Sequence, residues 1–106
     1  MINQENFKLE VNLDDIKPGT VKVYNVADKS IVLANVNNEY FAVENICSHQ
    51  HIPLNPDEIV NENEIECSKH GARFKLQTGL PVCLPAVKPI KTYKVKIEAN
   101  QLIITE

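Results

Sequence analysis

Residues 46–89 of this 106-residue chain hold five of its six prolines, two of its three glycines, and all three cysteines and all three histidines. A segment so densely punctuated by turn formers cannot run as long helices or long strands. Loops must organise it, and the flanking sequence must supply the regular structure. The flanks do so with a period of two. In TVKVYNV, Val21, Val23 and Asn25 share one face, with Lys22, Tyr24 and Val26 on the other. The apolar runs SIVLANV (Ser30–Val36) and EYFAVEN (Glu39–Asn45) are joined by Asn37-Asn38, residues that tolerate the left-handed dihedrals of a tight hairpin turn. Near the end, KTYKVKI sets Tyr93, Val95 and Ile97 opposite Thr92, Lys94 and Lys96, and Ala99-Asn100 turns the chain into QLIIT.

No segment carries a sustained, capped helical stripe, and Leu13–Gly19 has room for one helical turn at most. Inside the middle region only IEC (Ile65–Cys67) and ARFKL (Ala72–Leu76) read as short strands. The expected fold is therefore all-β. It is an antiparallel framework of hairpins, with a loop-rich subdomain at about residues 46–89 inserted between its strands, in one domain spanning residues 1–106.

Charge and cysteine usage narrow the function. A formal net charge of −3 disfavours nucleic acid, whose phosphates need a basic surface. An odd, small number of cysteines, Cys47, Cys67 and Cys83, argues against a disulfide framework and for a reducing compartment. MINQENFKLEVNLDD has no basic segment followed by an apolar run, and no stretch is apolar enough to span a bilayer. A soluble, cytoplasmic protein with no membrane partner is expected.

The chemistry concentrates in CSHQHIPL, residues 47–54, which places a thiol and two imidazoles within five consecutive positions. A second pair, Cys67-x-x-His70, follows His49 after an interval of seventeen residues. Each pair sits at a turn, with Asn45 before the first and Gly71 after the second. Two such loops brought together would converge two thiolates and two imidazoles, the donor set a metal centre requires. Four N/S ligands suit tetrahedral zinc, although zinc ribbons usually draw paired cysteines from each loop.

The pattern C-x-H, seventeen residues, C-x-x-H resembles the Rieske 2Fe–2S proteins. The likeness extends to NEYFAVENICSH, to CSKHGARFKLQTGLP with its Gly71 and Thr78-Gly79 turns, and to PAVKPIKTYKVKIEANQLII. It thus covers nearly the whole chain. The resemblance implies one 2Fe–2S cluster of the Rieske type. Cys47 and Cys67 would hold one iron, and His49 and His70 the other. It also implies the Rieske fold, an antiparallel β-sandwich framework with the cluster-binding subdomain inserted.

A four-thiolate set would leave an oxidised cluster net negative, whereas two thiolates and two neutral imidazoles leave it neutral. Adding an electron then costs less, and the potential rises relative to all-cysteine ferredoxins. Within the Rieske range of roughly −150 to +300 mV, two features point to the lower part, a missing disulfide and a missing serine. Respiratory relatives carry linking cysteines where this chain has Ile52 and Lys69, and a serine donating to a cluster sulfur where it has Ala72. Fewer donors to sulfur stabilise the reduced state less.

Other residues invite plainer readings. His51 stands where many relatives have a small residue, and its expected role is to shape the rim rather than to ligate. Cys83 is expected to be a small apolar packing residue. Pro81 and Pro85 resemble the proline-containing loop that covers the cluster in this family, stiff but poor in donors. The acidic run Asp57–Glu66 contrasts with Lys88, Lys91, Lys94 and Lys96, a segregation that can steer a partner, and Lys69 lies within the second motif itself.

The function expected is a one-electron carrier rather than an enzyme, passing electrons from a flavin-dependent reductase to a terminal oxygenase. The chain is too short to add the mononuclear-iron domain of an oxygenase, and no Ser/His/Asp set or phosphate-cradling glycine loop is visible. Two alternatives stand beside it: a Rieske-like small subunit of an assimilatory nitrite reductase, and a zinc-stabilised interaction module.

Overall fold

The computed structural model describes residues 8–26, 28–47, 52–67, 71–83 and 88–106. Within them a six-stranded antiparallel sheet is built from β1 (Lys8–Asn12), β2 (Val21–Val26), β3 (Lys29–Val36), β4 (Glu39–Glu44), β9 (Thr92–Glu98) and β10 (Gln101–Thr105), in the order β1-β10-β9-β4-β3-β2. A second antiparallel sheet has β5 (Ile59–Val60), β6 (Glu64–Glu66), β7 (Arg73–Lys75) and β8 (Pro81–Cys83) in simple sequence order. The single helical turn expected before Gly19 is a 3-10 turn at Leu13–Asp15, capped by the Asn12 side chain accepting from the Asp14 N–H at 2.8 Å.

Both predicted hairpins form. Asn37 and Asn38 take φ of +53° and +71°, so the two-residue turn between β3 and β4 has the left-handed pair that matches strand twist. Ala99 at φ +53° opens the β9–β10 turn. β1 closes the framework by pairing with β10 from Lys8↔Thr105 to Asn12↔Gln101. The halves β1-β10-β9 and β4-β3-β2 meet at two residue pairs only, Ala42↔Tyr93 and Val43↔Thr92.

The packing has three layers, and β3 explains why. Its run Ile31-Val32-Leu33-Ala34 is fully buried, and successive residues join different apolar clusters. Ile31 and Leu33 pack with Val11, Ile16, Tyr93, Leu102 and Ile104 inside the framework. Val32 and Ala34 face the other way, with Ile65 and Phe74 of the small sheet and with Leu54 and Leu76 from the segments beside it. A strand covered on both faces reads as continuously apolar rather than alternating. Each large side chain buried this way contributes roughly 1.5–3 kcal/mol.

The edges depart from strict alternation. Val23 on edge strand β2 is 37% exposed and Ile97 at the end of β9 is 53% exposed, although each shares a face with a more buried neighbour. The middle region is a sheet of strands two or three residues long, including two, β5 and β8, that were not expected. The acidic run lies on this small sheet and the lysines Lys94 and Lys96 on β9, so their segregation in sequence is also segregation in space. One member of the run, Glu64, is largely buried and accepts from Asn61 Nδ2 at 3.2 Å.

Gly79 docks the small sheet onto the framework. Its N–H donates to the Lys75 carbonyl at 2.7 Å, and its own carbonyl accepts from the Ile90 N–H at 2.9 Å. At φ +77°, a Cβ placed there would lie 2.2 Å from the Ile90 carbonyl oxygen. Only glycine satisfies both the dihedral and the close approach.

Candidate metal centre

The two cysteines of the paired motifs occupy equivalent places. β4 runs through Asn45 and Ile46 into Cys47, whose N–H donates to the Ile52 carbonyl at 2.7 Å in an isolated antiparallel bridge. β6 runs directly into Cys67, whose N–H donates to the Ala72 carbonyl at 2.7 Å. Each bond closes a loop five residues on, and in sequence His49 and His70 fall one in each loop. The Gly71 N–H, at φ +75°, donates back to the Cys67 carbonyl at 3.1 Å and tightens the second loop further.

Both thiols are buried, Cys47 at 0% and Cys67 at 1% exposure, within one apolar cluster that also holds Leu54, Ala72, Phe74 and Ile90. Ile52 packs partly buried against it. Ala72 is fully buried, so a methyl group without a donor stands just after Gly71. Two soft ligands, converging in a dry environment on short loops with rigid roots, are the donor chemistry that an iron–sulfur cluster demands.

The neighbouring electrostatics are those of a braced surface. Arg73 Nε meets Glu66 Oε1 at 3.2 Å at the base of the second loop. Behind the first loop, Glu106 bonds both Lys91 and Lys29, the latter at 2.9 Å, and Lys91 sits 5.2 Å from the centre of the Tyr93 ring. The hydrogen bond from Lys91, then that from Lys29, holds the Glu106 carboxyl below its usual range. Burial, reinforced by the charge on Glu44, raises the Tyr93 phenol. A surface cleft of about 570 Å³ lies at the far end of the strands, lined by Val36, Phe41, Ile59 and Glu62. This cleft is remote from the cysteines.

Of the residues singled out from sequence, Cys47 and Cys67 are brought into one cluster of side chains. His49, His70, His51, Lys69 and Pro85 lie outside the described residues, and Cys83 is described only as the end of the β8 backbone.

The fold coincides with a known architecture. A family profile for the Rieske 2Fe-2S domain matches residues 7–94. The chain belongs to the Rieske family. Its members carry a Rieske-type 2Fe–2S cluster, and the buried cysteine pair fits one, which replaces the zinc reading. The chain is 40% identical over 92 residues to the ferredoxin component of the naphthalene 1,2-dioxygenase/salicylate 5-hydroxylase systems of a Ralstonia species, covering 87% of this chain and 88% of that one. Among solved structures, the ferredoxin of carbazole 1,9a-dioxygenase from Nocardioides aromaticivorans superposes with a TM-score of 0.83 at 28% identity, over 96% of this chain and 98% of that one. A chain of a complex of reduced oxygenase and oxidised ferredoxin in carbazole 1,9a-dioxygenase gives a TM-score of 0.84 at 25% identity, covering 92% of each chain.

One residue pair escaped the sequence reading. Asn45, 3% exposed, donates from Nδ2 to Ser30 Oγ at 3.1 Å and to Asn55 Oδ1 at 3.0 Å, while the Asn55 N–H donates to Asn45 Oδ1 at 2.8 Å. The available signal was position. Asn45 ends an apolar strand two residues before a ligand-type cysteine, and Asn55 sits between Leu54 and Pro56.

Proposed function

We propose that this chain is the electron-carrying ferredoxin of a ring-hydroxylating dioxygenase system. It accepts one electron at a time from a flavin-dependent reductase and delivers it to a terminal oxygenase, without itself catalysing the oxygenation. In this reading the Cys47 and Cys67 thiolates hold one iron and the His49 and His70 imidazoles hold the other. The cluster supplies one-electron storage, and the chain's residues set its charge and surroundings. Two thiolates and two neutral imidazoles give a neutral oxidised site, so one electron enters without building up a large charge. The whole of residues 1–106 acts as one domain in the reducing cytoplasm, where ligand cysteines remain thiolates. Among the described residues no helix is long and apolar enough to cross a membrane.

The observation that carries this reading is the matched pair of loops. Each starts at a buried cysteine whose N–H closes it, the first spans His49 and His51 and the second His70, and both are rooted in one apolar cluster. Family membership and the naming of relatives as dioxygenase ferredoxins support it. The test is reconstitution. Purified protein should carry iron and acid-labile sulfide in equal amounts and support electron flow from a flavin reductase to a ring-hydroxylating oxygenase. Protein that holds zinc and no sulfide, or holds the cluster but cannot reduce any such oxygenase, contradicts the proposal.

A further inference from the structure

The two loops have unequal foundations. Behind the Cys67–Ala72 closure, β6 and β7 continue as paired strands through Glu66↔Arg73, Ile65↔Phe74 and Glu64↔Lys75. Behind the Cys47–Ile52 closure there is no such ladder, because β4 pairs with β3 and β9, and residues 53–57 are irregular. What stands there is the Asn45 carboxamide. Its oxygen takes the Asn55 N–H as a strand carbonyl would, and its Nδ2 bonds Asn55 Oδ1 and Ser30 Oγ. The Asn45 main-chain N–H also donates to the Ser30 carbonyl at 2.9 Å, fixing the residue to β3. Asn55 adopts φ +41°, a conformation that Asn tolerates better than most residues.

We propose that Asn45 is a positioning residue for the cluster, its side chain serving as the outer rung that holds the first ligand loop against the framework. This rests on the ligand assignment proposed above. A buried carboxamide that satisfies three hydrogen bonds at once defines one geometry, and removing it frees all three partners together. The first loop then loses the side-chain rung beyond the Cys47 closure, whereas the second loop keeps its ladder. Cluster loss from the native protein therefore starts at the first loop.

The experiment uses cluster-loaded protein and its Asn45→Ala and Asn55→Gly variants. Glycine at 55 takes φ +41° without strain and keeps the main-chain N–H, so it deletes only the Oδ1 acceptor. Iron release into excess EDTA is followed by the visible absorbance of the cluster, amide deuterium uptake by mass spectrometry, and the reduced state by EPR. Asn45→Ala should release iron at least about tenfold faster and Asn55→Gly about threefold faster. Deuterium uptake should rise over 46–55 but not over 64–75, and the Asn45→Ala EPR lines should broaden. Release rates within about twofold of the parent in both variants, with unchanged exchange over 46–55, overturn the proposal. So does a uniform rise in exchange across both sheets, which marks a general structural role. If Asn45→Ala does not fold, Asn55→Gly alone decides. A parent protein without iron and sulfide would instead defeat the ligand assignment.

Discussion

In the loop that begins at Cys67, the closing bond to Ala72 is followed by three residue pairs of a regular antiparallel hairpin, whereas the loop that begins at Cys47 closes just as tightly on Ile52 and then depends on the side chain of Asn45. The backbone ladder is indifferent to most side-chain changes along it, since main-chain groups make its bonds. The side-chain rung is a single point of failure. One site can therefore tolerate substitution on one side and resist it on the other, even though each loop begins at a buried cysteine closed by the same kind of bond.

The largest single effect short of removing a ligand should come from undermining the ladder's mooring. Gly79→Ala places a Cβ against the Ile90 carbonyl at a positive φ, and should destabilise the protein by about 2–4 kcal/mol in denaturant unfolding. A loss well under about 1 kcal/mol would show that the small sheet is not docked through this turn.

Next, Ala72→Ser tests the second loop's contribution to potential rather than to stability. The buried Ala72 methyl has no hydroxyl to offer a cluster sulfur, so the parent midpoint should lie below roughly +200 mV. Serine should raise it by on the order of 60 mV, about one net hydrogen bond for a one-electron couple. Redox titration reads both values, and an unchanged midpoint would remove Ala72 from the account.

Glu66→Gln then sharpens the contrast with Asn45. The Glu66–Arg73 pair is about two-fifths exposed on each side, so its loss should cost less than about 1 kcal/mol and leave iron release unchanged. Faster release would mean that the second loop, too, relies on a side-chain tie.

The smallest effect concerns Glu106, tied to Lys91 and Lys29 at the root of the first loop. Its carboxyl is held below the usual range, so its contribution is present above the ordinary carboxylate pKa and is lost as pH falls through the lowered value. Glu106→Gln should therefore melt slightly below the parent near neutral pH and match it in acid. Identical melting at every pH would dismiss the tie.

Local signals in the chain were strong where the structure is local. Asn37-Asn38 announced its turn because left-handed dihedrals restrict residue choice, and β3–β4 and β9–β10 announced themselves through repeated apolar residues. Spacing alone brought out Cys47 and Cys67, since few folds crowd thiols and imidazoles that way. The strands that escaped notice pair over distance or are too short to show a period. β1 joins β10 from the opposite end of the chain, β5 has two residues, and β8 begins at a proline. Asn45 was legible only as a turn residue, for another reason. A buried asparagine and a turn asparagine look alike in sequence, and only the meeting of Ser30, Asn45 and Asn55 in space tells them apart.

The most direct test of the account is pulsed EPR on the dithionite-reduced protein labelled with nitrogen-15 histidine. Two directly coordinated imidazole nitrogens should couple to the unpaired electron, one disappearing in each of His49→Ala and His70→Ala wherever a cluster survives, and both persisting in His51→Ala. A reduced cluster with no strongly coupled nitrogen would contradict it, and so would a coupling that vanishes when His51 is replaced.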